Sequence, residues 1–107
     1  MITFNDFKKL EIKIGTVISA EKIPDADKLL KIIFDLGDEQ RQIIAGIAEQ
    51  FPDPAVLIGK QMPIITNLEY RKFRGHESQG MIMAADVDGK PILLHPKKKI
   101  PPGSIVR

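Results

Sequence analysis

Hydrophobic and polar positions alternate along much of this chain. In LLKIIFDL (29–36), Leu30, Ile32, Phe34 and Leu36 share one parity, while Lys31 and Asp35 take the other. Period two is the pattern of a half-buried strand. IKIGTVISAE (12–21) places Ile12, Ile14, Ile18 and Ala20 on one parity. Gly15 inside it marks a bulge or a close backbone approach, which lets a strand curl round a small barrel. Gly37-Asp38-Glu39 turns the chain into a third strand, QRQIIAGIA (40–48), and QMPIIT (61–66) and GMIMAADV (80–87) read as a fourth and a fifth. Asp88-Gly89 is a strong hairpin signal leading into PILLHP (91–96).

Two short helices are expected. Thr3 with Asp6 forms a helix-start pair, and Phe4, Phe7 and Leu10 follow at three-residue spacing, giving a helix or turn over 4–10. FPDPAVLIG (51–59) has Asp53 as N-cap, Pro54 in the first turn and Gly59 at the stop. The remaining segments are connections: KIPDADK (22–28), residues 67–79, and a basic, proline-bearing end expected to lie extended over the surface.

The order predicts an all-β domain over residues 1–107. It is a five-stranded OB-fold barrel with a short helix between strands 3 and 4 and added N- and C-terminal elements. In that fold the loops joining strands 1–2 and 4–5 flank the ligand face. Those loops are 22–28 and 67–79, so the two runs richest in unexplained polar residues are expected to meet at one site.

Composition narrows the picture only slightly. With 107 residues, 43% hydrophobic and 28% charged, the totals are those of an ordinary globular domain. There is no cysteine, so disulfides and thiolate metal sites are excluded. No apolar run reaches the ~20 residues of a membrane helix, and the start lacks the apolar core of a signal peptide; the cytoplasm is the expected compartment. Net charge is only +2, but residues 90–107 carry five bases and no acid, while the other 89 residues carry 11 bases and 14 acids. Such asymmetry allows one basic face on a balanced chain.

Catalytic readings are weak. Asp25 and Asp27 are the candidates for an acid–base pair, yet two loop aspartates beside a proline are more often turn formers. His76, Glu77 and Ser78 have triad residue types, but triad members converge from separated segments. His76 and His95 lack a third metal ligand. Nucleic-acid binding fits better. Arg71, Lys72 and Arg74 match phosphates, Tyr70 or Phe73 suits base stacking, and Asn67 and Ser78 offer hydrogen bonds. Core packing beneath the loop accounts equally well for Phe73 and better for Met81.

Pro24-Asp25-Ala26-Asp27-Lys28-Leu29, Asn67-Leu68 followed by Arg71-Lys72, and Gly75, Ser78, Gly80 and Met81 together resemble the tRNA-binding domain family. The likeness extends over nearly the whole chain, from Phe7-x-x-Leu10-x-Ile12-x-x-Gly15, through Gln42-Ile43-Ile44-Ala45-Gly46, to Pro101-Pro102-Gly103. Members of that family occur as C-terminal appendices of methionyl-tRNA synthetases, as a structure-specific tRNA-binding protein and in the precursor of endothelial monocyte-activating polypeptide. The resemblance implies an OB fold that recognises tRNA shape, with no catalytic activity and no cofactor. By position it assigns RNA contact to Asn67, Arg71, Ser78 and Met81, and to Lys28 in the first loop. Lys72, Arg74, Lys97, Lys98 and Lys99 are expected to add phosphate contacts. Where the family often has histidine before Pro-Asp-Ala-Asp, this chain has Ile23. The resemblance also implies a homodimer, with Phe4, Phe7, Leu10, Ile100, Ile105 and Val106 as contact candidates. The expected partners are tRNA and an aminoacyl-tRNA synthetase, the methionyl enzyme first. Met1 and the compact end favour a freestanding subunit over an excised appendix. The rival reading is an OB module that docks a synthetase or scaffold protein through its apolar ends.

Overall fold

Strand β1 (Ile12–Ile23) organises the fold because it pairs along both edges in the computed structural model, which describes residues 1–107. Its first half pairs antiparallel with β4 (Gln61–Ile65), and Thr16–Ile23 pair with β2 (Ala26–Asp35), which pairs in turn with β3 (Gln40–Ala45). Thr16 has Gln61 on one side and Asp35 on the other. The chain then adds hairpin β5 (Arg71–Phe73) and β6 (His76–Ser78), the two-residue β7 (Met81–Ile82) on β4, and hairpin β8 (Ala84–Val87) and β9 (Lys90–Leu93). Finally β10 (Ile105–Val106) takes the edge of β1 that β2 leaves free. The main sheet runs β3-β2-β1-β4-β7, so the architecture is all-β and OB-like.

The core follows the alternation. Leu30, Ile32, Phe34 and Leu36 are all buried, with Ile43, Leu57, Met62 and Ile64 packed around them. Lys31 sits on the opposite parity, where it bonds Glu21 at 2.9 Å. The single parity expected for β1 does not hold along its length: Ile12 and Ile14 are buried outside the main core cluster, which Val17 joins and against which Ala20 packs. Ile12, Ile14 and Val17 are buried, whereas Ile18 is exposed. Gly15 and Val17 face the main core, and a bulge follows: Val17 opposes Phe34 but Ser19 opposes Ile33, so Ile18 has no partner and Ala20 takes up the core side. An extra residue bends a strand and switches its facing side. Gly15 therefore carries no bulge; it permits close packing. A Cβ there would lie 2.5 Å from Ile64 Cδ1 and 2.9 Å from Phe34 Cδ1.

Several expected elements differ. The N-terminal helix α1 is Phe4–Lys8 only, started by a reciprocal Thr3–Asp6 capping box at 3.1 Å each way. The thirteen-residue connection 67–79 is not irregular, because it folds on itself as β5–β6. In place of a helix over 51–59 there are single 3₁₀ turns at Ala48–Gln50 and Pro54–Leu57. Asp53 does cap the second, accepting from Ala55 N at 3.2 Å. Two prolines and a stop at Gly59 leave too little chain for the costly helix nucleus. Strand 80–87 is interrupted at Met83: its N–H still donates to Pro63 O at 3.0 Å, in register with the β4–β7 pairs, but Ala84–Val87 then pairs with β9 instead. β3 and β7 do not pair, so the ladder does not close into a five-stranded barrel. The basic end is also not merely draped. Gly103 N–H donates to Ile14 O (2.7 Å) and Ile14 N–H to Ser104 O (2.8 Å), guiding β10 onto β1.

Replacing Gly15 with Ala should overpack a region whose neighbours Phe34 and Ile64 are fully buried. The expected loss is about 1–3 kcal/mol, read in urea unfolding as a lower midpoint with an unchanged m-value.

Candidate nucleic-acid interface

Pro24 and Asp25 form the entire turn between β1 and β2, with Asp25 at φ 64°. Proline fixes the first turn position and a positive φ follows, as in a type II turn. The expected seven-residue loop is thus a tight turn, and it occupies Asp25 structurally. Beyond it the ladder slips: Ile23 opposes Ala26 and Lys22 opposes Leu30, leaving Asp27, Lys28 and Leu29 unpaired. Lys28 stands exposed on this irregular stretch.

The second connection meets this turn. Phe73, half-buried, packs on the small cluster of Ile23, Ala26 and Ile44. Arg74 and Gly75 then reverse the chain at φ 53° and 82°. Two positive φ values define the type I′ turn that matches hairpin twist. Asparagine or glycine usually occupies the first of these positions, and an arginine there bears strain of order 1–3 kcal/mol. Strain of this kind at an exposed tip marks a site where the side chain matters more than local comfort. The guanidinium of Arg71 lies 4.9 Å from the Phe73 ring centroid, within cation–π range. Neither Arg71, Lys72 nor Arg74 has a carboxylate within ion-pair distance, unlike Lys9, Lys13, Lys31 and Arg41. Beside them a groove of about 400 Å³ has Ile44, Leu68, Phe73 and Met81 among its walls and Arg71 and Glu69 at its rim. Met81 is 48% exposed, so it is available to a ligand rather than sealed in the core.

Two expected contact residues are committed elsewhere. Ser78 is 4% exposed; its Oγ accepts from Ile44 N at 3.0 Å and donates to Gly80 O at 3.1 Å. With Gln79 N donating to Gln42 O (2.8 Å) and Gln42 N donating to Gln79 Oε1 (2.9 Å), it bridges the gap that no strand ladder closes. Asn67 accepts from Glu11 N and donates to Lys9 O, both at 2.7 Å. Thr66 Oγ1 donates to Glu11 Oε1 at 2.7 Å; that bond, then the charge of Lys13, holds the Glu11 carboxyl below its ordinary range.

Arg41 is the residue that sequence reasoning missed. It reads as one more outward charge on a strand. Yet its Nη1 donates to Thr66 O and to Gln79 O (3.1 Å), its Nε pairs with Glu39, and its guanidinium lies 5.9 Å from the Tyr70 ring. One side chain thus holds both ends of the 67–79 segment. A polar residue at that strand position, followed by buried Ile43 and Ile44, was its only sequence signal.

The remaining candidates lie apart. Phe4, Phe7, Leu10, Ile105 and Val106 line a separate groove of about 650 Å³, while Ile100 bonds Gln61 and is not in it. Lys97, Lys98 and Lys99 border Gln61, at the far end of β4 from Ile65 and its partner Met81. Four strand steps separate those ends, ~13 Å. The lysine triplet therefore does not share the hairpin's groove, because the β9 exit carries it to the opposite end of the strand. No helix is long and apolar enough to cross a membrane.

An OB-like sheet with a cationic hairpin beside an open groove defines a binding module. Comparison makes the class specific. The family model described as "Putative tRNA binding domain" matches residues 12–105, and the chain belongs to that family. It is 51% identical over 105 residues to a methionine–tRNA ligase of Archaeoglobus fulgidus, covering 98% of this chain but only 16% of that protein. Its structure is similar to a MetRS-related protein from Pyrococcus horikoshii (TM-score 0.94, 41% identity, 100% and 98% of the two chains). It is also similar to the chaperone CsaA from Bacillus anthracis (TM-score 0.89, 28% identity, 100% and 99%).

Arg41→Met keeps the aliphatic stem but strips two carbonyls of their charged donor. The expected result is faster amide exchange across residues 70–79 than in β1 and β2, with about 1.5–3 kcal/mol of stability lost.

Proposed function

We propose that this domain binds tRNA on the face formed by the β5–β6 hairpin and the β1–β2 turn, by shape and phosphate charge, without catalysing a reaction. The observation that carries the reading is the hairpin itself. Three cations with no carboxylate in ion-pair range flank a strained tip, beside a groove whose walls are half apolar and include Glu69. Arg71, Lys72 and Arg74 supply phosphate contacts, with Lys28 added from the neighbouring strand. Met81 and Leu68 offer a surface on which a base can rest. Asn67 and Ser78 act one step back, fixing the hairpin's base rather than reaching RNA through side chains already bonded within the protein. Membership of the tRNA-binding domain family supports the choice of ligand.

The relatives support a synthetase as the partner. Methionine–tRNA ligases carry a similar domain as about one sixth of their length, so this chain is read as a domain that retains or delivers tRNA for a methionyl-tRNA synthetase in the cytoplasm. Binding should fall with salt. About four neutralised phosphates give a slope of log affinity against log salt near −3. In a titration at two salt concentrations, folded tRNA should outbind single-stranded and duplex RNA. Arg71→Glu with Arg74→Glu should abolish binding while leaving unfolding unchanged. Unchanged affinity in that folded variant rejects the face.

A protein contact has its own support. Phe4 is 72% exposed and Ile105 61%, an unusual display of apolar surface around one groove. We read this groove as the homodimer contact. Phe4→Ser with Phe7→Ser should shift sedimentation from dimer to monomer, and wild-type protein sedimenting as a monomer at every concentration sinks the contact.

A further inference from the structure

Lys60, Lys97, Lys98 and Lys99 surround a cleft of about 300 Å³, whose other walls include Gln61 and His95. No acidic or hydrophobic residue lines it. None of the four lysines has a carboxylate within ion-pair distance. Four uncompensated like charges round one hollow repel one another and weaken the compact state. An anion seated among them removes that cost, and any ligand that binds only the folded form stabilises it by mass action.

The cleft is also built rather than frayed. Gln61 is only 5% exposed, and it fixes the lysine run at both ends. On one side His95 Nδ1 bonds the Gln61 carbonyl at 2.7 Å. A carbonyl only accepts, so Nδ1 carries the proton. On the other side Ile100 N donates to Gln61 Oε1 (3.0 Å), and Gln61 Nε2 donates to Ile100 O (2.6 Å) and Thr16 Oγ1 (2.9 Å). Residues 96–99 thus form a short loop clamped to one strand end. Holding the loop in advance lowers the ordering cost of binding.

We propose that this cleft is a second phosphate site, separate from the hairpin, that takes further backbone phosphates of an RNA held at the hairpin face. Lysine serves as a compact point charge for phosphate. An acidic peptide is the poorer fit, because peptide recognition uses pockets for side chains and these walls offer none. Only the identity of the phosphate source rests on the tRNA reading above; the cleft itself does not.

Two arms on the full chain test it. The first adds sodium tripolyphosphate and follows thermal unfolding. The melting temperature should rise in the wild type and in the Arg71→Glu, Arg74→Glu variant, but not when Lys97, Lys98 and Lys99 are all changed to Gln. An equal rise in the triple variant overturns the cleft. The second arm measures tRNA affinity against salt. With the cleft added to the four phosphates of the hairpin face, the wild-type slope should steepen from about −3 to about −5, and the triple variant should bring it back to about −3, at roughly 0.7–0.9 for each phosphate no longer neutralised. Loss of the tripolyphosphate effect with an unchanged tRNA slope overturns RNA as the source and leaves a small-polyphosphate site. If tRNA does not bind the wild type at all, the tRNA reading fails, and the RNA source with it, while the first arm still decides whether the cleft exists.

Discussion

One guanidinium decides whether the hairpin that faces solvent has a shape. Arg41 reaches from β3 to carbonyls at Thr66 and Gln79, the two points between which the 67–79 segment leaves and rejoins the sheet. Without it those carbonyls would lack a charged donor, and the two stems would be held by Asn67 at one side and Ser78 at the other. Hydrogen bonds to an ionised donor are roughly twice as strong as neutral ones, and Arg41 is mostly shielded from water at 16% side-chain exposure. The cations of the hairpin are thereby presented by a frame and not by a loose loop.

A second constraint is the incomplete ladder. β3 and β7 are not paired as strands; the Ser78 hydroxyl, the Gln79 side chain and one backbone bond from Gln79 to Gln42 tie β3 to the residues just before β7 instead. This substitution sets Met81 and Leu68 at an open groove. The break at Met83 sends β8–β9 away as a separate hairpin.

Local features were legible wherever chemistry acts between near neighbours. Leu30, Ile32, Phe34 and Leu36 announced the core by alternation, Asp88-Gly89 its turn, Asp53 its cap, and Thr3–Asp6 its box. Illegible features depend on partners far along the chain. The Ile18 bulge comes from how β2 must wrap β1, and parity alone carried Ile18 inward. Ser78 looks like a ligand contact until Ile44, 34 residues away, is known to need an acceptor. Lys97–99 resembled helpers of the hairpin because charge in a sequence has a sign but no address. The 67–79 hairpin had no aromatic or β-branched run to advertise its strands.

Asn67 wires two surfaces together. Its amide clasps the backbone at Lys9 and Glu11, the exit of α1, while the next residues lead into the groove. The exit of α1 and the start of the segment that leads to the cationic hairpin are therefore pinned to each other by a single side chain.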